Sequence, residues 1–188
     1  MGATVATRIT AEEYFAIPAL ERRGTQLIDG MVVMNEPLME HSLAQIILIG
    51  ELYAWTTRAS GRGLVLSPLD LTVTEYDVYA PDLAWLREER VPDPVRGPLE
   101  GLPDLAVEIR SPSTWRRVLG AKKPRYEAAG LPELWLVDPQ QRSVVICRRL
   151  SPGEARFDVE LELSGSDELA SPLLPGFGLA VARLFERP

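Results

Sequence analysis

The sequence predicts a mixed α/β fold: a central β-sheet of mixed strand direction flanked by helices, with an N-terminal hairpin. Three observations carry this. Asp104 to Asp138 reads strand–helix–strand, the pattern of a crossover between parallel strands. Asp29-Gly30 stands between two apolar runs, the signature of a tight hairpin. Positions 43, 46, 47, 50 and 54 repeat at helical spacing.

In chain order, "TAEE" at Thr10–Glu13 is a capping box that opens a short helix. The hairpin follows in "TQLIDGMVVM", then a long helix from Glu40 to about Ser60, stopped by Gly61 and Gly63. "GLVLS", "DLTVTE" and "VYAPDLAWL" read as strands, with "SPL" turning between the first two. Residues 87–101 are rich in Pro, Arg and Glu and read as an exposed loop. "DLAVEIR" is a strand, and a helix from Ser113 or Thr114 to Ala129 follows it. "LPELWLVD", "SVVICRR" and "FDVELEL" are further strands, and the tail from Pro172 closes the domain.

At 188 residues the chain is expected to be a single domain over 1–188, long enough to bury a core. No apolar run approaches ~18 residues, so no membrane span is expected. The first residues lack a basic start followed by an apolar stretch, so no signal peptide is read. The single Cys147 has no internal partner and suits a reducing cytoplasm. A net charge of −7 argues against a protein that coats nucleic acid by bulk electrostatics. A local patch is still present. Arg110, Arg116, Arg117, Lys122, Lys123 and Arg125 fall between Arg110 and Tyr126 with no acidic residue among them. The plain reading of such a run is a solvated helix face; the functional one is phosphate contact.

The same segment holds both lysines of the chain, against 18 arginines in all. Lys122 lies four residues after Val118 and four before Tyr126, on an apolar stripe with Trp115 and Leu119, so it is expected to face the sheet. Glu108 sits in the apolar run "LAVEI", and Asp82 opens another. Carboxylates are rarely placed there without compensation. Either could be a structural ion pair or an edge residue. Together with an inward lysine they suggest a divalent-cation site, since Mg²⁺ takes one or two carboxylates plus waters and substrate phosphate. Trp55, Trp85, Trp115 and Trp135 read as core.

"YAPDLAWL", "PDLAVEIRSPST", Lys122, Tyr126, Gly130 and "PELWLVDP" together resemble the bacterial putative restriction endonuclease family called Uma-two, from about Thr10 to the C-terminus. That family is similar to the PD-(D/E)XK nucleases. The resemblance implies a restriction-endonuclease-like sheet and metal-dependent hydrolysis of DNA. It implies Asp82, Glu108, Lys122 and His41 as catalytic residues. Mg²⁺ (or Mn²⁺) would be held by Asp82, Glu108 and the Ile109 carbonyl. DNA would meet Arg110, Arg116, Arg117, Lys123 and Arg125, and a homo-oligomer, dimer or higher, suits the cutting of two strands. Three positions depart from the family pattern. Gln26 and Val118 stand where acidic residues are usual, and Arg110 holds the place of the superfamily lysine. The alternatives are a decayed nuclease fold acting as a DNA-binding or assembly module, and a glycosidase with paired carboxylates, which would display exposed aromatics.

Overall fold

Asp29 and Gly30 both adopt left-handed backbone conformations, with φ of 55° and 71°. They turn strand β1 (Thr25–Ile28) back as β2 (Met31–Met34). Only glycine suits the second position: a Cβ there would come within 2.8 Å of Arg8. The computed structural model describes residues 8–187 except 97, 98, 100, 113 and 152. The leaderless reading of residues 1–7 and the candidate helix start at Ser113 lie outside the described residues.

Helix α1 (Ala11–Ala16) carries the expected box, with Thr10 and Glu13 capping each other's backbone. A short α2 (Ala19–Arg22), which the sequence reading lacked, starts after Pro18. Helix α3 spans Met39–Thr57. Its inward face is His41, Ala44, Leu48, Leu52 and Trp55, not the expected stripe; Ile46 is 63% exposed. This helix is apolar on most sides, so spacing alone does not fix its phase.

Strands β3 (Leu64–Leu66), β4 (Leu71–Thr74), β5 (Asp77–Tyr79) and β6 (Leu83–Leu86) follow. The single strand expected over "VYAPDLAWL" is therefore two. Ala80-Pro81 interrupts it, because proline has no N–H for a ladder. Each half joins a different sheet. β5 belongs to a four-stranded sheet ordered β2-β1-β5-β4. β6 belongs to a six-stranded one ordered β10-β9-β8-β7-β6-β3, with β7 (Leu105–Ile109), β8 (Glu133–Asp138), β9 (Ser143–Arg148) and β10 (Val159–Ser164). Within it β7 and β8 are parallel, as the crossover required, and the other pairs are antiparallel. The tail adds a ribbon of β11 (Glu168–Leu169) and β12 (Leu179–Ala180). Among the described residues no helix is long and apolar enough to cross a membrane.

The crossover helix is not uniform. α4 (Trp115–Arg117) widens into a π-helical stretch over Val118–Lys122, then continues as α5 (Lys123–Ala128). Pro124 sits in the first turn of α5, where its missing N–H costs least. The widened turn buries Val118, Lys122 and Tyr126 together and leaves Leu119 45% exposed, so Leu119 is not on the buried stripe. The expected outcome is that Val118→Ala costs roughly 2 kcal/mol, while Leu119→Ala stays within about 0.5 kcal/mol. Urea-unfolding midpoints measure both, and the reverse order would contradict this helical phase.

Candidate active site

Asp82 stands where β6 parts from β7. Its N–H donates to the Val107 carbonyl (2.9 Å), and its own carbonyl accepts from Gln45 (3.0 Å) and Ser67 (2.8 Å). Beyond it the chain leaves the six-stranded sheet, so the Ile109 N–H lacks a ladder partner on that side. The Asp82 carboxylate takes its place: Oδ2 accepts from Ile109 N at 2.6 Å. Oδ1 lies 3.1 Å from His41 Nε2 on the first turn of α3. Burial works against a charged imidazole. The Asp82 hydrogen bond and charge, aided by the Arg110 and Ile109 backbone, outweigh it and raise the His41 pKa above its ordinary 6.5. His41 Nδ1 is buried with no hydrogen-bond partner among the described residues.

Glu108, on β7 directly before Ile109, is buried and receives Lys122 on both oxygens, at 2.7 and 2.8 Å. Tyr126 donates to Oε1 at 2.9 Å. Lys122 is itself fully buried, with its ammonium 5.2 Å from the centre of the Tyr79 ring. Burial pushes the Glu108 carboxyl up, Lys122 pulls it down, and the neighbouring Asp82 charge adds to the upward push. Asp82 Oδ2 is bonded to the backbone of the residue that follows Glu108, which places the two acidic residues side by side. The sequence reading placed Lys122 toward the sheet beside Glu108, and it is there.

The donor set fits a hard divalent cation. Each carboxylate keeps acceptor capacity: among the described residues Glu108 Oε2 meets only Lys122, and Asp82 Oδ1 only His41. Two carboxylates and the Ile109 carbonyl are what Mg²⁺ asks of a protein, the rest being water and phosphate. Among the described residues no cluster of three or more His, Cys, Asp or Glu forms a cage.

Asp82 and His41 open into a cleft of about 470 Å³, walled also by Gln26, Asn35 and the α2–β1 turn. Gln26 is buried, and its Oε1 accepts from Ala80 N at 3.2 Å. Val118 is packed in the core. Of the proposed DNA contacts, Arg110 pairs with Asp138 (2.7 Å), Lys123 with Glu160 (2.6 Å) and Arg125 with Asp77 (2.9 Å) and Asp29. Arg116 and Arg117 are exposed. Trp55, Trp85 and Trp135 are buried and Trp115 partly so, so no tryptophan offers the open face a sugar site would use.

Sequence reasoning gave no role to Tyr126, Gln45 or Ser67. The first two carried a signal: Tyr126 is four residues past Lys122, and Gln45 four past His41, each on the same helix face.

Two outcomes are expected. A group whose folded pKa is raised stabilises fully below its unfolded pKa and loses that stabilisation as pH rises through the folded value. The melting-temperature gap between wild type and His41→Gln is therefore larger near pH ~5.5 than near pH ~8.5; a gap that grows with pH contradicts the ion pair. Lys122→Met alone should cost about 3–5 kcal/mol by stranding Glu108. The Lys122→Met, Glu108→Gln double variant should recover much of it in chemical denaturation. Full additivity would mean the pair is not coupled.

Residues 11–182 match the family model described as "Putative restriction endonuclease", Uma2. No curated protein matches the chain. Among solved structures it is similar to a putative nuclease belonging to DUF820 from Anabaena variabilis ATCC 29413. The TM-score is 0.76 at 20% identity, covering 94% of this chain and 97% of that one. The fold is therefore nuclease-like.

Proposed function

The chain belongs to the Uma2 family of putative restriction endonucleases, and from that premise we propose that it is a metal-dependent DNA endonuclease hydrolysing phosphodiester bonds. The observation that carries this is the Asp82–Glu108 pair at the end of β7, with a buried lysine held on Glu108. Asp82, Glu108 and the Ile109 carbonyl would hold Mg²⁺ or Mn²⁺. When bound, the ion lowers the pKa of a water and stabilises charge in the transition state. The protein's own groups do the rest. Lys122 keeps Glu108 charged and in one orientation. Ile109 N–H and His41 orient Asp82, and His41 holds a proton at Nε2 beside the cleft. Arg110, Arg116, Arg117, Lys123 and Arg125 are proposed to meet DNA phosphates, the ion-paired ones among them once their partners yield. The unit is read as one nuclease domain over 1–188, acting in a reducing cytoplasm as a dimer or higher oligomer.

A second reading is a nuclease fold that binds DNA without cutting it. Gln26 on the cleft wall and Val118 in the core favour it, because both stand where the family usually has acidic residues.

One assay separates the two. Supercoiled plasmid should be cleaved with Mn²⁺ and left intact with EDTA. Asp82→Asn should lower the rate by about 10²-fold or more. Lys122→Arg, assayed alongside its melting temperature, should fail as well, because a forked planar guanidinium does not occupy the point where the ammonium sits. Full activity in folded Lys122→Arg contradicts the lysine's role. Binding without cleavage by wild type supports the second reading.

A further inference from the structure

We propose that Arg23 is the phosphate clamp of the cleft, the side chain that seats the DNA backbone against Asp82. This rests on the nuclease reading above and adds to it a residue outside the basic run of 110–126. The charged side chains on the cleft wall are Arg22, Arg23, His41, Asp70 and Asp82. Four of them lie in contact as two pairs. Arg22 lies 3.2 Å from Asp70, donates to the Ile17 carbonyl at 3.1 Å, and stacks over Tyr14 and Phe15. It is a structural arginine. His41 lies 3.1 Å from Asp82. Arg23 is exposed and has no hydrogen bond, ion pair or ring partner among the described residues. Of the two guanidiniums on the cleft wall it is the one with no carboxylate beside it among the described residues.

Its position is set by the backbone. Arg23 ends α2, and Gly24 follows with φ 75°, a conformation that favours glycine although open space surrounds it. The Gly24 carbonyl accepts from Asn35 N at 2.9 Å, which ties this turn to the end of β2. The backbone at Arg23 is thus fixed while its guanidinium stays free, a planar fork matched to two phosphate oxygens. In a chain of net charge −7, an unpaired guanidinium beside a carboxylate site gives an approaching phosphodiester a favoured place to bind within the cleft. The tethered cations Lys123 and Arg125 would first have to leave Glu160, Asp29 and Asp77.

The test is DNA binding in EDTA, so that cleavage plays no part. A labelled duplex and a single strand of the same sequence are titrated with wild type, Arg23→Gln and Arg23→Lys across a range of salt. Arg23→Gln should bind several-fold more weakly at low salt. It should lose about 0.9 from the salt slope on duplex and about 0.7 on single strand. Arg23→Lys should keep the slope, because the charge remains. Weaker binding with an unchanged slope would mean the residue only shapes the turn, and would overturn the assignment. So would wild-type affinity and slope in Arg23→Gln, while leaving the nuclease reading in place. Absence of DNA binding by wild type on either probe would overturn both together.

Discussion

Everything around the site follows from one constraint: an ionised Glu108 in the middle of a buried strand must be met by a cation that is equally buried. Lys122 meets it with two short hydrogen bonds, and Tyr126 adds a third. A buried ion pair of this kind adds little stability by itself, since desolvation of both groups opposes their attraction. Loss of either partner is what costs. The crossover helix must therefore deliver an ammonium to the sheet at one height and one angle. The π-helical stretch over Val118–Lys122 does so, setting Val118, Lys122 and Tyr126 inward together. Local widening of this type is often found at functional positions. The preference for lysine has a physical reason too: a compact ammonium can bridge both oxygens of one carboxylate and still keep a third proton, where an arginine fork would need more room.

Asp82 answers a second constraint. The strand that begins at Leu83 parts from its neighbour sheet at Ala80-Pro81, and a backbone donor at Ile109 is left over. The Asp82 carboxylate satisfies that donor and is in turn backed by His41. Asp82 ends up beside Glu108 because it fills a gap in hydrogen bonding at the next residue of the strand. Burial pushes the Glu108 carboxyl up most, and the charge of Asp82 adds to that push. A divalent cation relieves that repulsion.

Much of this was legible in the sequence, and the reasons differ by residue. The hairpin at Asp29-Gly30 is local chemistry, so it reads directly. The parallel pairing of β7 and β8 follows from strand–helix–strand order. Lys122 could be phased because a few large apolar side chains flank it at four-residue spacing. Leu119 could not, because the phase changes within the helix itself. Helix α3 was found but its face was misassigned. With Leu43, Ile46, Ile47, Leu48, Ile49 and Leu52 in one stretch, several stripes are equally apolar. The division of strands between two sheets was not legible, since pairing across long separations leaves no local trace. Nor were the partners of Arg110, Lys123 and Arg125. Asp138, Glu160, Asp29 and Asp77 are far off along the chain and reach them only in the fold.

Asp82 and Glu108 together are proposed as a cation site. The most direct measurement is anomalous diffraction from crystals soaked in Mn²⁺. The expected result is a single peak between the Asp82 and Glu108 carboxylates, close to the Ile109 carbonyl, that is absent in an Asp82→Ala, Glu108→Ala protein. A peak at other residues, unchanged in that double variant, with Glu108 and Asp82 still bound only to Lys122 and His41, would contradict it.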